Sequence, residues 1–230
     1  MSDQLLVDNI AQLRERVRRS AQKNQRETSA ISVLAVSKTR PAAAIRAAYR
    51  CGLHQFGESY VQESLEKMAQ LQDLPLVWHF IGPVQSNKTR AIATHFDWIH
   101  SVDREKIARR LSEQRPAHLP PLQMCLQVNI SGEATKSGVV PKQLPLLVRA
   151  VDSLPNLRLR GLMAIPAASG DARQQRRAFA GLREALRDLQ ALAPGLDTLS
   201  MGMSGDLEAA IAEGATIIRV GTAIFGRRDG

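Results

Sequence analysis

From residue 31 onward, short β-branched or apolar runs alternate with amphipathic stretches. Before them lies a segment whose Leu6, Ile10, Leu13 and Val17 recur at helical spacing. ISVLAVS (31–37) reads as a strand buried on both faces. PAAAIRAAYRCG follows, with Pro41 suited to a first helical turn and Gly52 to a C-terminal stop. The pattern then repeats: HQFGE before SYVQESLEKMAQLQ, LVWHFIG before QSNKTRAIATH, WIHSV before DREKIARRLSEQ, and LQMCLQVNI before PKQLPLLVRAVDSL. LRLRGLMAI precedes DARQQRRAFAGLREALRDLQAL, TLSMGM precedes SGDLEAAIAEG, and TIIRVGTAIFG (216–226) is the last run.

The pattern predicts eight strands, each followed by a helix except the last. Strands alternating with helices pair in parallel, and eight such units at this length match an α/β fold, a (β/α)8 TIM barrel with an extra N-terminal helix. That helix is expected to cover the place where a final helix is short or absent. No Pro-, Gly- or Ser-rich linker divides the chain, so residues 1–230 are expected to form a single domain. A doubly wound open sheet is the alternative, but it carries a Gly-rich turn after its first strand, and the turn here is SKTRP.

Composition changes this picture in three ways. The apolar fraction is 44%, yet no run approaches the ~18 to 20 apolar residues of a membrane span. The N-terminus is charged throughout, without an apolar core or cleavage site, so a cytoplasmic protein is expected. Cys51 and Cys125 have no metal-ligand spacing and read as buried free thiols in a reducing compartment.

The net charge of +9 raises the question of nucleic acid. The excess is mostly arginine, scattered over helical segments beside Glu or Asp, as in REALRD at 183–188. Such faces are solvated. With no zinc-finger spacing, RNA-recognition signature or basic tail, no specific nucleic-acid partner is expected. Lysine, by contrast, is scarce. Chemistry that needs one must choose among Lys23, Lys38, Lys67, Lys88, Lys106, Lys136 and Lys142.

In such a barrel the working residues stand at the C-terminal ends of strands. Lys38 directly follows the first strand, where partial desolvation lowers the affinity of an amine for its proton. The other six lysines read as solvated charges on helices, at helix starts or in a polar loop. The seventh strand runs into SMGMSGD (200–206) ahead of an Ala-rich helix, and the eighth into Arg219-Val220-Gly221-Thr222. Small and hydroxyl residues at a helix start bind anions, and phosphate sites in these barrels lie after strands seven and eight. A strand-end lysine opposite a phosphate cradle suggests pyridoxal 5′-phosphate, with Lys38 forming the imine. Arg219 falls on the same side of its strand as Gly221 and is placed to meet the pyridine nitrogen. A guanidinium there leaves that nitrogen unprotonated, which makes the cofactor a poorer electron sink.

Seven segments carry a resemblance. AVSKT (35–39), FGESYVQE (56–63), WHFIGPVQSNK (78–88), VNISGEATKSG (128–138), GLMAIP (161–166), SMGMSGD (200–206) and RVGTAIFG (219–226) resemble, in order and spacing, the pyridoxal phosphate homeostasis proteins, also called YggS-like or PROSC-like. The resemblance runs from about residue 5 to 228. It implies a barrel like the N-terminal domain of alanine racemase, carrying pyridoxal phosphate on Lys38. Family function is intracellular supply, storage or buffering of the cofactor, without established turnover. Carried over, Arg219 takes the ring nitrogen and Ser204, Gly221 and Thr222 the phosphate, with Ser200 and Met201 nearby. His79 is either cofactor-facing or a core histidine. Ser59 departs from the family's FGEN motif, where asparagine reaches further. Lys136 and Ser137 read as a polar loop or as contacts to a second anion.

A carrier needs only a reversible imine, a phosphate grip and an open mouth. The enzyme alternative, an amino-acid racemase or decarboxylase, needs a second acid/base group opposite the imine. In alanine racemase that group is a tyrosine from a further domain and the partner subunit. This sequence ends at Gly230, and its only tyrosines, Tyr49 and Tyr60, are not obvious candidates. The expectation is a monomeric, non-enzymatic cofactor carrier, with apo-enzymes that depend on pyridoxal phosphate as recipients and no membrane partner.

Overall fold

Helix α1 (Asp3–Lys23) turns Leu6, Ile10, Leu13 and Val17 inward, each at most 3% exposed, as their spacing predicts. The computed structural model describes residues 3–133, 137–167 and 169–227. Eight strands follow α1: β1 (Ser32–Val36), β2 (Gln55–Glu58), β3 (Val77–Phe80), β4 (Trp98–Val102), β5 (Leu122–Val128), β6 (Leu157–Ala164), β7 (Thr198–Ser200) and β8 (Ile217–Val220). They pair in chain order, all parallel, and β8 returns to β1 to close the barrel, with Leu34 opposite Arg219. This is the predicted (β/α)8 barrel.

The outer layer is α2 (Ala42–Arg50), α3 (Val61–Gln70), α4 (Thr89–His95), α5 (Glu105–Gln114), α6 (Leu144–Val151), α7 (Ala172–Leu189) and α8 (Leu207–Ala212). Alternation along the strands divides the buried side chains into two populations. On β8, Ile218 and Val220 join the apolar layer between sheet and helices, while Ile217 and Arg219 face the barrel axis. The axis is polar in its upper part, where His79, His100, Ser200 and Arg219 are all buried.

Two strand predictions are corrected. The seventh was expected over 198–203 but stops at Ser200, because Gly202 takes φ +91°, outside the extended region. The last, expected over 216–226, stops at Val220 and continues as a short helix, α9 (Thr222–Phe225). The carbonyl of Gly221 accepts from the amides of Ile224 and Phe225, and both side chains bury in the core. Tertiary burial here overrides the β-rich local pattern.

Helix α1 packs across α8 and α9, and Asn9 Nδ2 donates to the Ile224 carbonyl at 3.1 Å. The extra helix therefore covers the place where the final helix is short. Several of the surface arginines lie beside acids, as in Arg46 to Asp73 at 2.5 Å and Arg16 to Glu208 at 2.8 Å. Among the described residues no helix is long and apolar enough to cross a membrane, and no cluster of His, Cys, Asp and Glu could hold a metal ion.

Candidate functional site

Lys38 stands two residues past β1, half-buried in a turn at the C-terminal end of the barrel. With Val36, Arg40, Gly221, Thr222, Phe225 and Gly226 it lines a cavity of about 50 Å³. Lys38, Gly221 and Thr222, three of the sequence-predicted residues, thus share one wall. Gly221 approaches β1 so closely that an added Cβ would meet the Val36 carbonyl oxygen at 3.2 Å. A side chain there would push β8 away from the lysine strand.

Ser204 reaches the same end of the barrel from the loop after β7. Its Oγ accepts from the Ala223 amide at 3.2 Å, in the first turn of α9. A hydroxyl beside the opening amides of a helix is an anion-binding arrangement. Asp206 closes the loop by accepting from the Met203 amide at 2.5 Å. Burial raises the pKa of its carboxyl, against the opposing pull of that amide and of Arg219.

Arg40 is a residue that sequence reasoning passed over. Its Nη2 donates to the carbonyls of Gly226 (2.7 Å) and Arg227 (3.0 Å), which fixes the guanidinium along the cavity wall. Its position two residues after Lys38, in a strand-end loop, was the available signal.

Arg219 is 4% exposed. Nη1 donates to the Ser200 carbonyl (2.5 Å) and to Ser200 Oγ (2.8 Å), and Nη2 to the Ala164 carbonyl (2.8 Å). Ala164 and Ser200 are the last residues of β6 and β7, so the guanidinium is held at the C-terminal rim. Burial lowers its pKa to about 10, with Asp206 and Cys125 pulling the other way, and it stays charged near neutral pH. Cys125 is fully buried, and burial pushes its thiol up to about 12.

Ser200 Oγ is engaged by Arg219 and by His100, whose Nδ1 lies 2.7 Å away. His100 Nε2 contacts His79 Nδ1 at 2.9 Å, and His79 stacks on Trp98 with ring centroids 5.4 Å apart. His79 is therefore enclosed in the barrel, and its Nε2 is buried without a hydrogen-bond partner. Desolvation pulls its pKa down to about 3 and that of His100 well below the usual imidazole range. Sequence reasoning had not singled out His100. The Met201 side chain joins the apolar layer behind the sheet.

Ser59 packs its backbone against Gly82, where an added Cβ would lie 2.2 Å from the Ser59 carbonyl oxygen. Lys136 lies outside the described residues, and Ser137 is exposed. Tyr49 packs edge-on against His54, and Tyr60 is largely exposed at the start of α3.

One expectation about the lysines is overturned. Lys67, read as a solvated helix charge, is 5% exposed and pairs with Glu58, which is fully buried, at 2.8 Å. Helix α3 turns this position toward the barrel end, where the carboxylate of β2 awaits it.

The sequence profile described as "Alanine racemase, N-terminal domain" matches residues 8–229. A "Pyridoxal phosphate homeostasis protein" of Pseudomonas aeruginosa is 63% identical over 224 residues, covering 97% of this chain and 96% of that protein. The Escherichia coli K12 protein of the same name is 51% identical over 234 residues, covering 97% of each. This chain belongs to the pyridoxal phosphate homeostasis protein family. The fold is similar to that of PipY of Synechococcus elongatus PCC7942, solved with pyridoxal phosphate bound. That structure is 41% identical with a TM-score of 0.84, covering 96% of this chain and 100% of that one. The family resemblance drawn from the seven motifs is thereby borne out.

The donor set suits the family's cofactor. An amine, a cradle that a Cβ at Gly221 would crowd, and a buried guanidinium at the rim answer an aldehyde, a phosphate and a ring nitrogen.

Proposed function

We propose that this chain carries pyridoxal 5′-phosphate on Lys38 and serves cofactor homeostasis by storage, buffering or delivery. The observation that carries this reading is the common wall formed by Lys38, Gly221 and Thr222. When bound, the cofactor supplies an electrophilic aldehyde and an electron-withdrawing ring. The Lys38 amine condenses with that aldehyde with loss of one water. Ser204, Gly221 and Thr222 receive the phosphate, and Arg40 adds positive charge beside it.

Arg219 would take the ring nitrogen. As a guanidinium it donates a hydrogen bond without giving up its proton. That arrangement suits holding the cofactor more than turning substrate over, and supports a carrier without turnover. Its partners are the cofactor itself and, as recipients, apo-enzymes that require it. We place this carrier in the cytoplasm as a monomer. The free thiols Cys51 and Cys125 fit a reducing compartment.

Purified protein is expected to show a visible absorbance band and one cofactor mass on Lys38, both lost in Lys38→Ala. A band unchanged in that variant overturns the assignment. Racemase, decarboxylase and transaminase assays decide between carrier and enzyme, and Lys38-dependent turnover would refute the carrier. Transfer to an apo-enzyme faster than spontaneous release establishes delivery.

A further inference from the structure

The backbone on both sides of Lys38 is held by one polar network, buried at Ser37, Glu58 and Lys67 and open to solvent at Glu63 and Thr39, that the proposed cofactor contacts do not use. Ser37 Oγ donates to Glu58 Oε1 at 2.6 Å, and the Ser37 amide donates to the Gly57 carbonyl at 3.0 Å. The Lys67 ammonium donates to the Ser37 carbonyl (2.9 Å), Glu58 Oε1 (2.8 Å) and Glu63 Oε1 (2.5 Å). Each of its three hydrogens thus has an acceptor. Glu63 Oε1 also accepts from the Thr39 amide at 2.6 Å. Thr39 has φ +65°, a left-handed conformation that a β-branched residue adopts only when its surroundings impose it.

We propose that Lys67, with Glu58 and Glu63, is a positioning residue for Lys38. It clamps residue 37 through its carbonyl and residue 39 through Glu63, and so fixes the point from which the Lys38 side chain departs toward the cavity shared with Gly221 and Thr222. The proposal rests on the reading of Lys38 as the cofactor lysine.

A buried ion pair is weak evidence of a contribution to stability, since apolar replacements of similar volume often serve as well. What an apolar pair cannot do is hold the Ser37 carbonyl and, through a shared carboxylate, the Thr39 amide. Arginine cannot take the place of Lys67, because its planar fork does not direct three donors around a point. With the lysine backbone held in advance, the cost of ordering it does not fall on cofactor binding.

The test uses the full chain with and without cofactor. Lys67→Met removes the clamp but strands two carboxylates, so Glu58→Gln/Lys67→Met is made beside it to keep a folded protein. Leu186→Ala, which opens a cavity under α7 away from the site, reports the effect of lost stability alone. The double variant is expected to bind pyridoxal phosphate at least about tenfold more weakly and to release it faster than Leu186→Ala. Its visible band is expected to shift in its pH profile. In the cofactor-free protein, the reductive-methylation rate of Lys38, read by peptide mass, is expected to change in the double variant and not in the Leu186→Ala control. A double variant matching the control in affinity, release and Lys38 reactivity overturns the proposal. Retention of the band in Lys38→Ala is a different result, and would overturn the cofactor assignment instead.

Discussion

Arg219 Nη1 donates to Ser200 Oγ at 2.8 Å, and that same oxygen lies 2.7 Å from His100 Nδ1. A hydroxyl has one proton. Arg219 can only donate, so of the two side chains on this oxygen only His100 Nδ1 can accept that proton, which assigns His100 the Nε2–H tautomer and makes it a donor to His79 Nδ1. Nitrogen NMR of the cofactor-free protein is expected to show both histidines neutral and protonated at Nε2. Protonation of His100 at Nδ1 would reverse the direction of the chain.

Ser200→Ala leaves the Arg219 and His100 nitrogens short of a partner inside the barrel. The expected loss is about 1 to 3 kcal/mol of unfolding free energy, read from the urea midpoint at constant slope. A change within about 0.5 kcal/mol would mean that water replaces the hydroxyl.

The buried histidines set a pH dependence. Burial lowers the His79 pKa to about 3 from an ordinary 6.5, and moves His100 in the same direction. Between those values the unfolded chain binds protons that the folded chain does not. Stability therefore falls as pH drops below about 6.5, and this contribution is flat above it. The slope is at most about 1.4 kcal/mol per pH unit for each histidine. Urea midpoints between pH 5 and 7.5 measure it, and His79→Phe is expected to flatten the curve by up to one proton. An equal slope in that variant would assign the protons elsewhere.

Gly202→Ala combines a φ of +91° with a Cβ built 2.5 Å from Ala210 Cβ. The loop before α8 has to move, at a cost of about 1 to 3 kcal/mol. Thermal melts are expected to show the loss, accompanied by weaker cofactor binding because Ser204, proposed above to receive the phosphate, lies two residues on. Wild-type melting would show that the loop accepts the methyl.

Arg40→Met removes a cation from the wall that Lys38 shares with Gly221. Binding of pyridoxal phosphate is expected to weaken by roughly fivefold, about 1 kcal/mol, and to become less sensitive to salt. Binding of pyridoxal, which lacks the phosphate, is expected to change little. Equal losses for both ligands would place Arg40 in a purely structural role.

Positions governed by local pattern were legible in the sequence. The Leu6–Ile10–Leu13–Val17 stripe predicted the buried face of α1, and the strand-then-helix alternation predicted the barrel. Lys38 stood out because it directly follows a strand. Lys67 did not, because EKMAQ reads as polar helix surface. Its burial depends on β1–β2 register and on the angle at which α3 returns, which are long-range facts. His100 was hidden in WIHSV for the same reason, since Ser200, its partner, lies on a strand 100 residues later. α9 was misread because its apolar residues answer to α1 and not to their neighbours in sequence.

The barrel closes by pairing its first strand with its last, and the site sits on that seam. Lys38 leaves β1 and Gly221 leaves β8, so the amine and the proposed phosphate cradle belong to opposite lips of the joint. Any local opening between these strands separates the two halves of the site before it disturbs either one. A ligand gripping both lips acts as a latch, adding its binding free energy to ring closure. The first measurable sign of loading is then slower hydrogen exchange along Ser32–Val36 and Ile217–Val220, ahead of any change in the strands across the ring.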